Sequence, residues 1–211
     1  VIVIDDDEEL SAASIVAQFP RVRYIAKRGV DRGLSTSRNI GIRLSKGDYL
    51  IFLDDDDFFA EHAIDRFASA ISKIHNFYYS DFTIIKGKDK YHSSTKSSAE
   101  SKLMVVNEIP IGAFMIQKSA IRNEFDQALK SHEDWNFLLD NVNWSKATYI
   151  PEPLVNIDKS MTDDSSMQVR RRKYFWMEFL GIYAKHPNPD LRIKRSMMIK
   201  TLGIDIPPEL L

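Results

Sequence analysis

At 211 residues, 44% of them hydrophobic, the chain is long enough for one substantial core, with or without a helical appendage. A formal net charge of −1 gives no global basis for binding nucleic acid, and the lack of cysteine excludes disulfides, thiolate metal sites and cysteine nucleophiles together. It also fits a reducing compartment, so the expected location is cytoplasmic. No apolar run approaches the roughly 20 residues of a membrane span, and the opening residues do not read as a signal peptide.

In chain order, Val1–Ile4 is a short β-branched run closed by Asp5, Asp6 and Asp7. Opening in a buried strand, the chain is expected to begin inside a larger protein. Glu8–Phe19 carries apolar residues at near-helical spacing and stops at Pro20. Val22–Ala26 reads as a strand, Gly29 and Gly33 frame a loop, and Ser35–Ser45 reads as a helix with Gly47 beyond its end. Tyr49–Leu53 is a strand. Ala60–Ile74 places Ala63, Ile64, Phe67, Ala70, Ile71 and Ile74 on one helical face. Phe77–Ile85 is a strand, and the polar stretch Lys86–Lys102 reads as a mobile loop. Gly112–Gln117 (strand), His132–Val142 (helix with an acidic first turn) and Thr148–Ile157 (extended) follow, and from Met167 the pattern is helical and basic. This alternation predicts an α/β fold whose mostly parallel sheet is flanked by helices, over residues 1–160, with a C-terminal helical extension over 161–211.

The apolar run Tyr49–Leu53 ends in four consecutive carboxylates, Asp54, Asp55, Asp56 and Asp57. Like charges packed this closely repel unless donors, water or a cation absorb them. Oxygen-only ligands suit Mg²⁺ or Mn²⁺, which in turn hold phosphates. In open α/β sheets the crevice beyond the strand C-termini is where ligands bind. A solvated acidic turn is the plainer alternative.

A receiver domain of a response regulator also pairs an early acidic cluster with a later aspartate, here Asp54. It wants small residues after that aspartate and a Lys-Pro further on, where this chain has Phe58-Phe59 and Ile109-Pro110. A haloacid-dehalogenase-like phosphatase wants Thr or Val at the place of Phe58. The run Gly33-Leu34-Ser35-Thr36-Ser37-Arg38-Asn39-Ile40-Gly41, then Gly47-Asp48-Tyr49 and the strand ending in Asp54–Asp57, resembles family 2 glycosyltransferases of the GT-A fold. Val3-Ile4-Asp5-Asp6, His132-Glu133-Asp134-Trp135 and Pro151-Glu152-Pro153 fall in the same order as that family's other motifs.

The resemblance implies an inverting, metal-dependent enzyme that moves one sugar from a nucleotide-diphospho-sugar, UDP-linked, to a hydroxyl of a glycan or lipid-linked acceptor in bacterial surface polysaccharide synthesis. The alternative is a non-catalytic nucleotide-sugar-binding or receiver-like signalling domain. By the resemblance, Asp134 is the general base with Glu133 beside it, and Asp5, Asp6, Arg38, Asp54 and Asp55 face the donor. Asp56 and Asp57 hold Mn²⁺ or Mg²⁺, and Trp135 offers the acceptor a stacking platform. Each has a plainer reading: a surface helix arginine for Arg38, a helix N-terminal carboxylate for Asp6, a first-turn acidic pair for Glu133 and Asp134, and a buried aromatic for Trp135. The family's first strand has no counterpart here, its Gly-Ser after the Asp pair is replaced by Asp7-Glu8, and a metal-ligating His is replaced by the Asn156–Ser160 stretch, where Asp158 is the substitute candidate. No processive Gln-x-x-Arg-Trp motif occurs. The basic–aromatic run from Arg170 to Tyr183 is open to two readings, peripheral contact at the inner face of the membrane or helix packing, the second being the commoner arrangement.

Overall fold

Strands and helices alternate from the first residues. A computed structural model describes residues 1–29, 32–98, 100–160 and 172–211. β1 (Ile2–Asp5) pairs in parallel with β2 (Arg23–Ala26), joined through the single helical turn α1 (Ala13–Val16). The expected helix over Glu8–Phe19 contracts to that turn because the residues before it fold around carboxylates instead. Asp7 N–H and Ala12 N–H donate to Asp5, Ser11 N–H donates to Asp7, and Leu10 takes a left-handed φ of 53°. α2 (Leu34–Leu44) packs on β1 and leads into β3 (Tyr49–Ile51).

β3 begins a second, six-stranded sheet with β4 (Phe58–Phe59), β5 (Phe77–Lys86), β6 (Asp89–Ser93), β7 (Phe114–Gln117) and β8 (Ala147–Asp158). The path runs β3-β7-β5-β8-β4, with β6 on the far half of β5. The alternation implied mostly parallel pairing, and the pairing is mixed. Among the described residues β1–β2 and β5–β8 are the parallel pairs, and the long β5 and β8 have short antiparallel neighbours. The polar stretch read as a mobile loop contains β6 and the short helix α4 (Glu100–Leu103). A hairpin needs backbone pairing more than apolar side chains, and Gly87 at φ 61° makes its turn.

Period-two alternation divides the core. Phe77, Tyr79, Phe114, Ile116 and Leu50 face α5 (Glu133–Asn141), α6 (Arg172–Lys185) and α7 (Arg192–Thr201). Tyr78, Met115, Ile150 and Leu154 face α3 (Ala63–Ala70), which contributes Ala63 and Phe67. α3 stops at Ala70, where Ile71 turns extended, so Ile71 and Ile74 leave the expected apolar face and are exposed, and Ile64 within the helix is exposed as well.

Candidate active site

The four aspartates do not extend β3. They fold back as a turn, Asp57 N–H donating to Asp54 O at 3.2 Å, which carries the chain into β4. That turn places Asp55 and Asp56 in solvent while Asp54 and Asp57 point partly inward.

Arg38, on α2, was expected to meet the donor, and its guanidinium is already engaged by protein. Nη2 donates to Asp54 at 2.6 Å and Nη1 to Glu133 at 2.9 Å, and the group lies 5.3 Å from the Phe125 ring centroid. Burial disfavours its charge, but Asp54 and Glu133 outweigh burial and hold its pKa above the ordinary arginine value. α2 is held there by its neighbour Asn39, buried, whose amide accepts from Phe125 N–H and donates to Phe125 O, both at 2.8 Å. Ser35 Oγ donates to Asp126 O beside it. The Ser-x-x-Arg-Asn spacing thus fixes one helix face against residues 125–126 and aims Arg38 between two carboxylates.

The β1 carboxylates divide. Asp5 is buried and accepts from Asp7 N–H, Ala12 N–H and the Tyr24 hydroxyl, so it shapes the loop. Oδ2 of Asp6 accepts from Gly33 N–H at 2.9 Å, Ser37 Oγ at 3.3 Å and Lys27 Nζ at 3.5 Å. Burial raises the Asp6 pKa, and these donors more than offset it, leaving the net value below normal. Asp6 therefore sits at the N-terminus of α2 and not of α1, and Gly33, at φ 135°, permits the approach. No periodic signal marks Lys27 as its partner.

Glu133 and Asp134 form the first turn of α5, after His132 in a left-handed φ of 58°. Both Asp134 oxygens accept a bond, Oδ1 from Trp135 N–H at 2.7 Å and Oδ2 from Asn107 Nδ2 at 3.1 Å. Burial, then the adjacent Glu133, push its pKa up to about 6, against the pull of Arg38. Such a carboxylate is poised to take a proton near neutral pH. Asn107 escaped sequence analysis because it lies 27 residues away with no motif of its own.

Trp135 is corrected by the structure. It is 1% exposed, donates Nε1–H to Leu103 O at 2.6 Å and packs edge-on against Phe179 and Tyr183, so no sugar stacks on it here. Of the basic–aromatic run, Arg170 and Arg171 lie outside the described residues, while Phe175 and Phe179 pack against His132. Among the described residues no helix is long and apolar enough to cross a membrane.

For a divalent cation the relevant donors are Asp56 and Asp57. Partial loss of solvent, slight at exposed Asp56 and greater at Asp57, and then neighbouring carboxylates raise both pKa values, that of Asp57 to about 6. Asp158 N–H donates to Asp57 at 3.1 Å, while the Asp158 carboxylate accepts from Ser160 N–H. Among the described residues no three His, Asp or Glu side chains form a ready metal-holding group. Two under-neutralised carboxylates still fit a Mg²⁺-like ion, which is commonly held by one or two carboxylates together with substrate phosphates and water.

The sequence profile described as Glycosyl transferase family 2 matches residues 1–139. An uncharacterized glycosyltransferase of Haemophilus influenzae is 28% identical over 150 residues, covering 66% of this chain and 50% of that protein. An uncharacterized glycosyltransferase of Bacillus subtilis is 28% identical over 152 residues, covering 66% of this chain and 55% of its own. The chain thus spans about half the length of these curated relatives. Among solved structures, S. aureus TarS 1-349 in complex with UDP-GlcNAc superposes with a TM-score of 0.63 at 16% identity, over 99% of this chain and 59% of TarS. Its UDP complex gives 0.61 at 12% identity, over 96% and 77%. These likenesses show a shared GT-A fold. Because the profile covers residues 1–139, and with them Asp5–Asp7, Asp54–Asp57 and Glu133–Asp134, the chain belongs to glycosyltransferase family 2.

Proposed function

We propose that the chain carries the catalytic site of an inverting, metal-dependent transferase that moves one sugar from a UDP-sugar to a hydroxyl of a glycan or lipid-linked acceptor. Residues 1–160 are its transferase domain and 161–211 a helical extension. The observation that carries the reading is the Arg38 bridge, which joins the acidic turn at Asp54 to Glu133, 95 residues from Arg38. It sets a charge-rich turn suited to a metal diphosphate beside a carboxylate suited to base catalysis. The UDP and UDP-GlcNAc complexes of TarS support a uridine donor, and a role in bacterial surface polysaccharide rests on the motif resemblance alone.

In this reading Asp56 and Asp57 would hold the cation, which would supply positive charge against the departing diphosphate. Asp6 has Oδ2 occupied and Oδ1 available to accept from the uracil N–H. Asp134 removes the acceptor's hydroxyl proton while that oxygen bonds the anomeric carbon. The carbon–oxygen bond to the β-phosphate breaks on the opposite face, so configuration inverts. Arg38 offsets part of the charge of Asp54 and Glu133, which eases the ionisation of Asp134 beside them.

Calorimetry with UDP, with and without Mn²⁺, tests the donor site, and UDP release from UDP-GlcNAc with water as acceptor tests turnover. UDP binding should require Mn²⁺ and disappear in Asp56→Ala. Asp134→Asn should bind UDP within about threefold of the parent, since it removes no group assigned to the donor or the cation. Its UDP release should fall by on the order of 10²–10⁴, the value of a positioned base. Failure of the parent chain to bind UDP with Mn²⁺ would overturn the reading, and binding without any release would point to the non-catalytic alternative.

A further inference from the structure

The carbonyls that close α4 are each taken by a side chain from a different helix. Leu103 O accepts from Trp135 Nε1 of α5 at 2.6 Å, Met104 O from Arg195 Nε of α7 at 3.0 Å, and Val105 O from the Tyr183 hydroxyl of α6 at 2.6 Å. Helix ends leave such carbonyls without intrahelical partners, so these bonds determine where the following residues lie. Arg195 is wholly buried. Its other two nitrogens donate to Tyr183 O and His186 O, and its Cζ lies 4.3 Å from the Tyr183 ring centroid. An arginine held at all three nitrogens by backbone is a rigid strut, and the segment 103–105 is clamped from the C-terminal helices.

Asn107 is the next side chain to turn inward. Its Oδ1 accepts from Ile109 N–H at 3.0 Å, which identifies the oxygen end of the amide, so the nitrogen end faces Asp134. Arg38 does not take that place; its Nη1 and Nη2 donate to Glu133 and Asp54. Among the described residues Asn107 is the one side chain that hydrogen-bonds Asp134. We propose that Asn107 is the positioning residue of the catalytic base: the clamped segment 103–107 holds its amide so that it fixes the Asp134 carboxylate and favours its ionised form. This rests on the reading of Asp134 as base. It also gives the C-terminal helices a part in the chemistry, through Arg195 and Tyr183. The charges facing Asp134 are Glu133 and Asp54, which oppose its ionisation, and Arg38, which favours it.

The test labels aspartate carboxyl carbons with ¹³C in the full chain and assigns Asp134 by its loss in Asp134→Asn. Its titration is then followed from about pH 4 to 9 in the parent, Asn107→Ala and Asn107→Asp. Asn107→Asp keeps an oxygen for Ile109 N–H, so the loop retains its own bond while the donor to Asp134 is replaced by an anion. The midpoint should rise by about one pH unit in Asn107→Ala, as expected for a lost donor to a charged group, and further in Asn107→Asp. The acid limb of UDP release from UDP-GlcNAc should move with it, while UDP affinity stays within about threefold. If Asn107→Ala does not fold by circular dichroism, Asn107→Asp decides. An unmoved midpoint in a folded variant would overturn the proposal. A midpoint that moves while the acid limb does not would overturn Asp134 as the base, separately from its contact with Asn107.

Discussion

Replacing Asp134 with asparagine should stabilise the protein as it removes turnover. The Asp134 carboxyl is half-buried beside Glu133, and its pKa stands at about 6 against 3.8 for an ordinary aspartate. That displacement corresponds to about 3 kcal/mol against the folded state whenever the group is ionised. Solvent screening of the half-buried group reduces this figure. A net gain of about 1–2 kcal/mol remains.

The sign follows from proton binding. Between pH 3.8 and about 6 the folded state holds the Asp134 proton more tightly than the unfolded chain, so this group's effect on stability becomes unfavourable as pH rises through that window. The penalty is complete above the folded-state value and absent below the unfolded one. The neutral amide of Asp134→Asn removes it. For a chain of this size about 1 kcal/mol moves the melting midpoint by about 2–4 °C. Thermal melts without nucleotide should therefore show Asp134→Asn melting about 3–6 °C above the parent near pH 8 and level with it near pH 4. A variant that melts below the parent near pH 8, or by the same difference at both pH values, would refute the account of a strained carboxylate.

Arg38→Lys keeps the charge but loses the fork that reaches Asp54 and Glu133 together, so it should destabilise by about 3 kcal/mol in denaturant melts and abolish UDP release. An unfolding midpoint equal to the parent's would show that a single ammonium suffices. Trp135→Phe leaves the Leu103 carbonyl without its buried donor and should lower stability by about 1–3 kcal/mol with UDP affinity unchanged. A loss confined to acceptor KM would instead return Trp135 to the sugar. A Cβ at Gly112 would meet Val155 Cγ2 at 2.8 Å, so Gly112→Ala should cost about 1–3 kcal/mol and be partly rescued by Val155→Ala. An absence of rescue would place the strain elsewhere.

Much of the fold is legible along the chain because its signals are local. A β-branched run announces β1, an aromatic run closing in Thr-Ile-Ile announces β5, and the Ala63–Phe67 face at helical spacing announces α3, although chain pattern alone overran α1 and α3. The overrun at Glu8 has a cause that periodicity does not carry: Asp5 and Asp7 draw the following N–H groups into a loop. β6 was hidden for the converse reason. A hairpin held by backbone bonds needs few apolar side chains, and Lys86–Ser93 has few.

The site divides along the same line. The motif order from Asp5 through Gly33–Gly41 and Asp54–Asp57 to Glu133-Asp134 identifies the family from sequence by itself, since relatives with one fold carry their site residues at corresponding places along the chain. Which partner each side chain takes was decided by tertiary structure. Arg38 faces carboxylates and not open solvent because Asn39 anchors α2 to Phe125. Trp135 turns into the core because α6 supplies Phe179 and Tyr183 to cover it. Asn107 reaches Asp134 because three helices distant in sequence capture the carbonyls of residues 103–105. Residue type and spacing report what a side chain can do. Burial, charge neutralisation and hydrogen-bond pairing between residues far apart in the chain determine what it does, because those terms exist only once the elements are packed.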